Sequence, residues 1–122
     1  RQPRFLFAGW DRHYGFQLYQ SDPSGNFGGW KATAIGANST AAQSILKSDY
    51  KEDISLKGAL SLVIKVLSRT MDSTTLSPDK LELSTLSLSH DGSEIVHHQL
   101  REDELETLLK EANLLAPLKP ES

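Results

Sequence analysis

The stretch that decides the reading spans residues 14–46, YGFQLYQSDPSGNFGGWKATAIGANSTAAQSIL. Its first part alternates. Tyr14, Phe16 and Leu18 fall on one side of an extended chain, with Gly15, Gln17 and Tyr19 on the other, so residues 14–20 read as a β-strand. Asp22, Pro23, Ser24 and Gly25 follow the type I turn preference, with Asp first, Pro second and Gly fourth. Residues 30–36 resume as a strand, with Trp30, Ala32 and Ala34 on one face, where the two alanines let a neighbouring layer come close. Thr40 and Gln43 have capping-box spacing, and Ala42, Ile45, Leu46 and Tyr50 recur at helical spacing, which predicts a helix over residues 40–50.

Working outward, the apolar run Phe5, Leu6, Phe7, Ala8, Gly9 reads as a buried strand, and Trp10, Asp11, Arg12 and His13 supply a polar reversal. Downstream, Ser55 is placed to cap a helix over residues 55–71. Its stripe of Leu56, Leu60, Val63, Leu67 and Met71 is widened by Ala59, Leu62, Ile64 and Val66. Such a helix is buried on more than one side, and the stripe places Val63 in the core. Residues 73–79 form a Ser/Thr-rich loop broken at Pro78. Leu81, Leu83 and Thr85 alternate as a strand, His90, Asp91, Gly92 and Ser93 signal a hairpin, and residues 94–100 return. Glu102, Asp103 and Glu104 crowd the positive end of a last helix, whose apolar face is Leu105, Leu108, Leu109 and Ala112. Pro117 and Pro120 end it in a frayed tail. The predicted order is βββ-αα-ββ-α, an α+β chain with one domain over residues 1–116 and a tail over 117–122.

Composition narrows the function classes. A chain of 122 residues with 38% hydrophobic and 24% charged residues can bury a core of its own. Its formal charge of −3, without a local Lys/Arg cluster, argues against nucleic acid as a partner. Without cysteine there is no disulfide framework, thiolate nucleophile or Cys-based zinc site. No apolar run approaches the roughly 20 residues that span a bilayer, so no membrane partner is expected. The apolar stretch near the start is too short for a signal peptide, and the chain reads as if it began in the middle of a longer one.

Candidate chemistry is thin. A hydrolase would draw on Ser24 or Ser21 with His13 and Asp11 or Asp22. However, the G-x-S-x-G elbow is missing, and Ser, Asp and Gly around a proline are explained by turn chemistry. His97 and His98 are adjacent in a strand, so they point to opposite faces, one packed and one solvated, and cannot share a metal from that strand. Gly25, Gly28 and Gly29 match neither phosphate-binding pattern and open no helix. Asn38, Ser39 and Thr40 spell a glycosylation sequon, read here as helix-start chemistry. No catalytic, cofactor or metal residue is assigned.

The run from Gln17 and Leu18 through Tyr19, Asp22, Pro23, Ser24 and Gly25, continuing by Trp30, Lys31 and Ala32 to Ile35 and Gly36, resembles the 20S proteasome α-type subunits. The likeness continues through Lys47, Asp49, Tyr50 and Lys51, then Ala59, Leu60, Ile64, Lys65, Val66 and Leu67, and on to Thr70, Met71 and Asp72. On this resemblance Tyr19, Asp22, Pro23, Ser24, Gly25 and Gly36 form a structural motif. Catalytic β subunits share the strand turn but usually continue into a Gly-Ser-Gly-Ser-like segment. Here Ala34, Ile35, Gly36, Ala37 and Asn38 stand instead.

The resemblance implies the C-terminal half of an N-terminal-nucleophile hydrolase-type αββα sandwich, two antiparallel sheets between helical layers. It implies a non-catalytic structural subunit of the α ring, supporting ubiquitin-dependent protein degradation in cytoplasm and nucleus. The implied partners are other α subunits, β-ring subunits, regulatory particles and assembly factors. The gating tail, first helix and activator-docking lysine of the family fall outside this chain. A nucleophile of this class is a Thr, Ser or Cys at the mature start, where this chain has Arg1, so no hydrolytic site is expected. The family usually carries Arg-Pro-Phe-Gly and a few more residues before the first apolar run. Here Arg1, Gln2, Pro3 and Arg4 lead straight into Phe5, which predicts a shortened or differently joined first strand. The alternative is a truncated stand-alone binding or oligomerisation module sharing the half-fold, forming a homo-oligomer to cover an open sheet face.

Overall fold

The computed structural model describes residues 4–21, 27–71 and 76–112. Three strands, β1 (Phe5–Asp11), β2 (Gly15–Ser21) and β3 (Phe27–Trp30), form an antiparallel sheet in the order β1-β2-β3. Helices α1 (Ser39–Asp49) and α2 (Leu56–Thr70) follow, then the antiparallel pair β4 (Ser84–Leu88) and β5 (Ile95–Gln99), and finally α3 (Glu102–Glu111). The predicted element order holds. Strand β1 pairs with β2 along all seven of its residues. At its end the Asp11 carboxylate accepts the backbone N–H groups of His13 at 2.7 Å and Tyr14 at 3.1 Å, which closes the turn.

The third strand lies earlier than the alternation predicts. It ends at Trp30, and residues 31–36 are irregular. The Thr33 hydroxyl donates to Gln20 Oε1 at 3.0 Å, and Gln43 Nε2 donates to the Ala34 carbonyl at 2.9 Å. Gln43 therefore ties down the incoming chain and does not complete a capping box with Thr40. Helix α1 starts at Ser39, after a turn in which Gly36 has φ +101°, a left-handed value that L side chains rarely adopt. Asn38, itself at φ 61°, makes no side-chain cap and donates Nδ2 to the Thr70 carbonyl at 2.6 Å. The sequon amide thus joins the start of α1 to the end of α2.

Helix α2 is capped as predicted, Ser55 Oγ accepting the Gly58 N–H at 3.0 Å. It is buried on two sides. At about 100° per residue, Leu62 and Val66 share one side and Ile64 lies nearly opposite. Leu62 and Val66 join Ala42 in one cluster, with Ala34, Ile45, Leu46 and Tyr50 against it. Ile64 joins Leu76, Leu81, Leu83, Leu105 and Leu109 in the other. Val63 is not in either core. It falls angularly between the two and is 37% exposed, with Leu56 also exposed on the same flank.

Leu81 and Leu83 are buried but precede β4, with a 3-10 turn at Pro78–Lys80 just before them. The hairpin turn is held by Asp91, whose Oδ1 accepts from the hydroxyls of Ser89 and Ser93 at 2.7 Å and from the Ser93 N–H at 3.0 Å. The Ser93 hydroxyl, then the Ser89 hydroxyl, draw the Asp91 pKa down to about 2. Both His97 and His98 are exposed, so neither is packed as the alternation suggested. In α3 the Glu104 carboxylate accepts the Arg101 N–H at 2.9 Å, and Leu105 and Leu109 fill the core while Ala112 stays exposed.

Candidate assembly surface

The β1-β2-β3 sheet carries apolar side chains on both faces. Its register puts Leu6, Ala8, Trp10, Phe16, Leu18 and Trp30 on one face, and Phe5, Phe7 and Tyr19 on the other. Phe7 sits opposite Tyr19, and the Phe5 and Phe7 rings lie 6.2 Å apart between centroids. Strand β1 was expected to be buried, yet Phe5 is 54% and Phe7 50% exposed. Among the described residues the three helices supply the core clusters without covering these rings. On the first face, Ala8, Gly9 and Phe16 border an open cleft of about 370 Å³ whose far wall is Ser84, Leu86 and His97. The sheets therefore line one cleft between them. A contiguous aromatic surface of this kind is suited to burial against another apolar surface.

Of the motif residues, Asp22, Pro23, Ser24 and Gly25 lie outside the described residues. Tyr19 donates its hydroxyl to Gln17 at 3.1 Å on the sheet, and Gly36 serves the turn before α1. Of the hydrolase candidates, Ser24 and Asp22 lie outside the described residues, and Ser21 and His13 are far apart. Ser21 is at one end of β2, where its hydroxyl accepts the Phe5 N–H at 3.3 Å, and His13 lies beyond the other end, about 20 Å away at about 3.3 Å per residue. Asp11 is a turn former. His98 pairs with Glu104 at 2.9 Å, and no metal-holding cluster occurs among the described residues. Glu104 is held below the usual carboxylate range by the Arg101 N–H first and then by His98. Asp49 is likewise depressed, chiefly by the Lys65 ammonium at 2.5 Å, which links the end of α1 to α2. No helix among the described residues is long and apolar enough to cross a membrane.

One feature went unread in the sequence. A cavity of about 380 Å³ opens between Trp30 and Ala32 on one side and Gln43, Leu46, Lys47 and Tyr50 of the α1 segment on the other. Lys31 at its rim is paired with Glu52. The available signal was Lys47 and Tyr50 at helical i, i+3 spacing behind an unburied tryptophan.

Exposed aromatic side chains lie on both faces of the β1-β2-β3 sheet, and the helical clusters gather around α2. The chain belongs to the proteasome subunit family, whose model matches residues 3–86. It is similar to proteasome subunit alpha type-4 of Spinacia oleracea, 58% identical over 114 residues covering 93% of this chain and 45% of the relative. The protein of the same name from Dictyostelium discoideum is 58% identical over 111 residues, covering 90% and 44%. That from Petunia hybrida is 52% identical over 118 residues, covering 97% and 47%. The chain spans less than half the length of these relatives.

Proposed function

We propose that this chain serves as a non-catalytic structural part of the proteasome α ring. The observation that carries this reading is the identity of 52–58% to relatives named proteasome subunit alpha type-4 over nearly the whole chain. The exposed sheet supports it, since Phe5, Phe7 and Tyr19 suit burial in an assembly. On this reading the β1-β2-β3 and β4-β5 sheets belong to an N-terminal-nucleophile hydrolase-type αββα sandwich, facing one another across the cleft between Phe16 and Leu86. The partners are neighbouring α subunits, the β ring, regulatory particles and assembly factors, and the setting is cytoplasm and nucleus. Its contribution to ubiquitin-dependent degradation is architectural.

The test is to express the tagged 122-residue chain in eukaryotic cells and fractionate the lysate by size. Co-migration with 20S particles, together with α and β subunits identified by mass spectrometry, is expected. Recovery only at the mass of the free chain, or of a multiple of it, overturns the reading and favours an independent oligomerisation module.

A further inference from the structure

The cavity between Trp30 and α1 has an unusual stock of polar groups. The Lys47 ammonium, the Trp30 indole N–H and the Tyr50 hydroxyl have no hydrogen bond or ion pair among the described residues. Lysine and tryptophan can only donate, and the phenol can donate as well. Of the other polar groups in the wall, Gln43 Nε2 donates to the Ala34 carbonyl and Lys31 is paired with Glu52. Leu46, Ala32 and the two rings leave the rest of the lining apolar, and Trp30 is 47% exposed at the mouth. A site with donors to spare, one of them cationic, and an apolar lining is complementary to an anion attached to an apolar body.

We propose that this cavity docks a partner segment in which a bulky aliphatic side chain is flanked by a carboxylate. The aliphatic group packs against Trp30 and Leu46, and the carboxylate meets Lys47. The site is built entirely from this chain's own residues, so the inference stands apart from ring membership.

The experiment uses the 122-residue chain carrying Trp10→Phe, which leaves Trp30 as the single indole. The probe is the capped peptide Ac-Glu-Leu-Glu-NH2, followed by Trp30 emission. A saturable blue shift with a Kd of about 1 mM or tighter is expected. Lys47→Gln should weaken binding about threefold or more, as should added salt, while Lys51→Gln, outside the cavity, leaves it unchanged. If Trp10→Phe disturbs the fold, the unsubstituted chain labelled with 5-fluorotryptophan gives the same answer, since only the Trp30 fluorine signal should shift. Equal binding of Ac-Gln-Leu-Gln-NH2 overturns the proposal, as does no saturable response. Inorganic phosphate that reproduces the shift and blocks the peptide would make the cavity a small-anion site. A response that grows with protein concentration alone would give the cavity to a second copy of the chain.

Discussion

Ile64 and Val63 are neighbours in one helix with opposite surroundings. Ile64 is 1% exposed amid five leucines, whereas Val63 looks out between the two clusters. Ile64→Ala is expected to cost about 2–4 kcal/mol, since it removes packed atoms and leaves a cavity. Val63→Asp should stay within about 1 kcal/mol. Urea denaturation measures both, and a comparably large loss for Val63→Asp would mean that the outward flank of α2 is covered after all. The apolar stripe was legible in the sequence, but its angular centre is not the centre of either core, and only the placement of α1 and α3 reveals that. Asp91 offers a second test. Its folded pKa of about 2 lies below the unfolded value of about 3.9, so its contribution to the hairpin is present above about pH 4 and is lost as pH falls towards 2. Carboxyl NMR should show a midpoint near 2, with the Ser93 amide shifting in the same window. A midpoint at the ordinary aspartate value contradicts the hydrogen-bonded turn.

At the scale of elements, the two long helices show when capping can be read from sequence. Ser55 behaves as its spacing promises because nothing else competes for the Gly58 N–H. The Thr40 and Gln43 pair does not, because Gln43 reaches out of the helix to Ala34, a contact 9 residues back that no local rule anticipates. The same Ala34 contact explains why the third strand stops at Trp30, since the following backbone is drawn under α1 into the Ala42 cluster. Ser55→Ala should cost about 1 kcal/mol. Gly58→Ala would normally gain helix propensity of about 1 kcal/mol. Here the added methyl would come within 2.9 Å of Ile54 Cγ1 and 3.2 Å of Ser55 Oγ, so no stabilisation is expected. Thermal unfolding of both variants decides this, and a clear rise in Tm for Gly58→Ala would show that Ile54 moves aside at little cost.

Across the whole molecule, element order and the helical core were readable because they rest on periodicity within single segments. The accessibility of β1 was not, because a run such as Phe5, Leu6, Phe7 records apolar character without recording what covers it. The relatives that share this stretch are more than twice as long. Helix α2 has a consequence of a different kind. It lends Leu62 and Val66 to one cluster and Ile64 to the other, so neither cluster can dissolve while its neighbour keeps a fully formed wall. The two halves of the core should therefore melt as one thermodynamic unit, with the exposed sheet as a separate fringe. Hydrogen exchange should show α2 amides with a single high opening energy matched by buried positions of α1 and α3, and β1 amides exchanging through smaller local openings. Two distinct opening energies on the two sides of α2 would show that the shared helix does not transmit cooperativity between them.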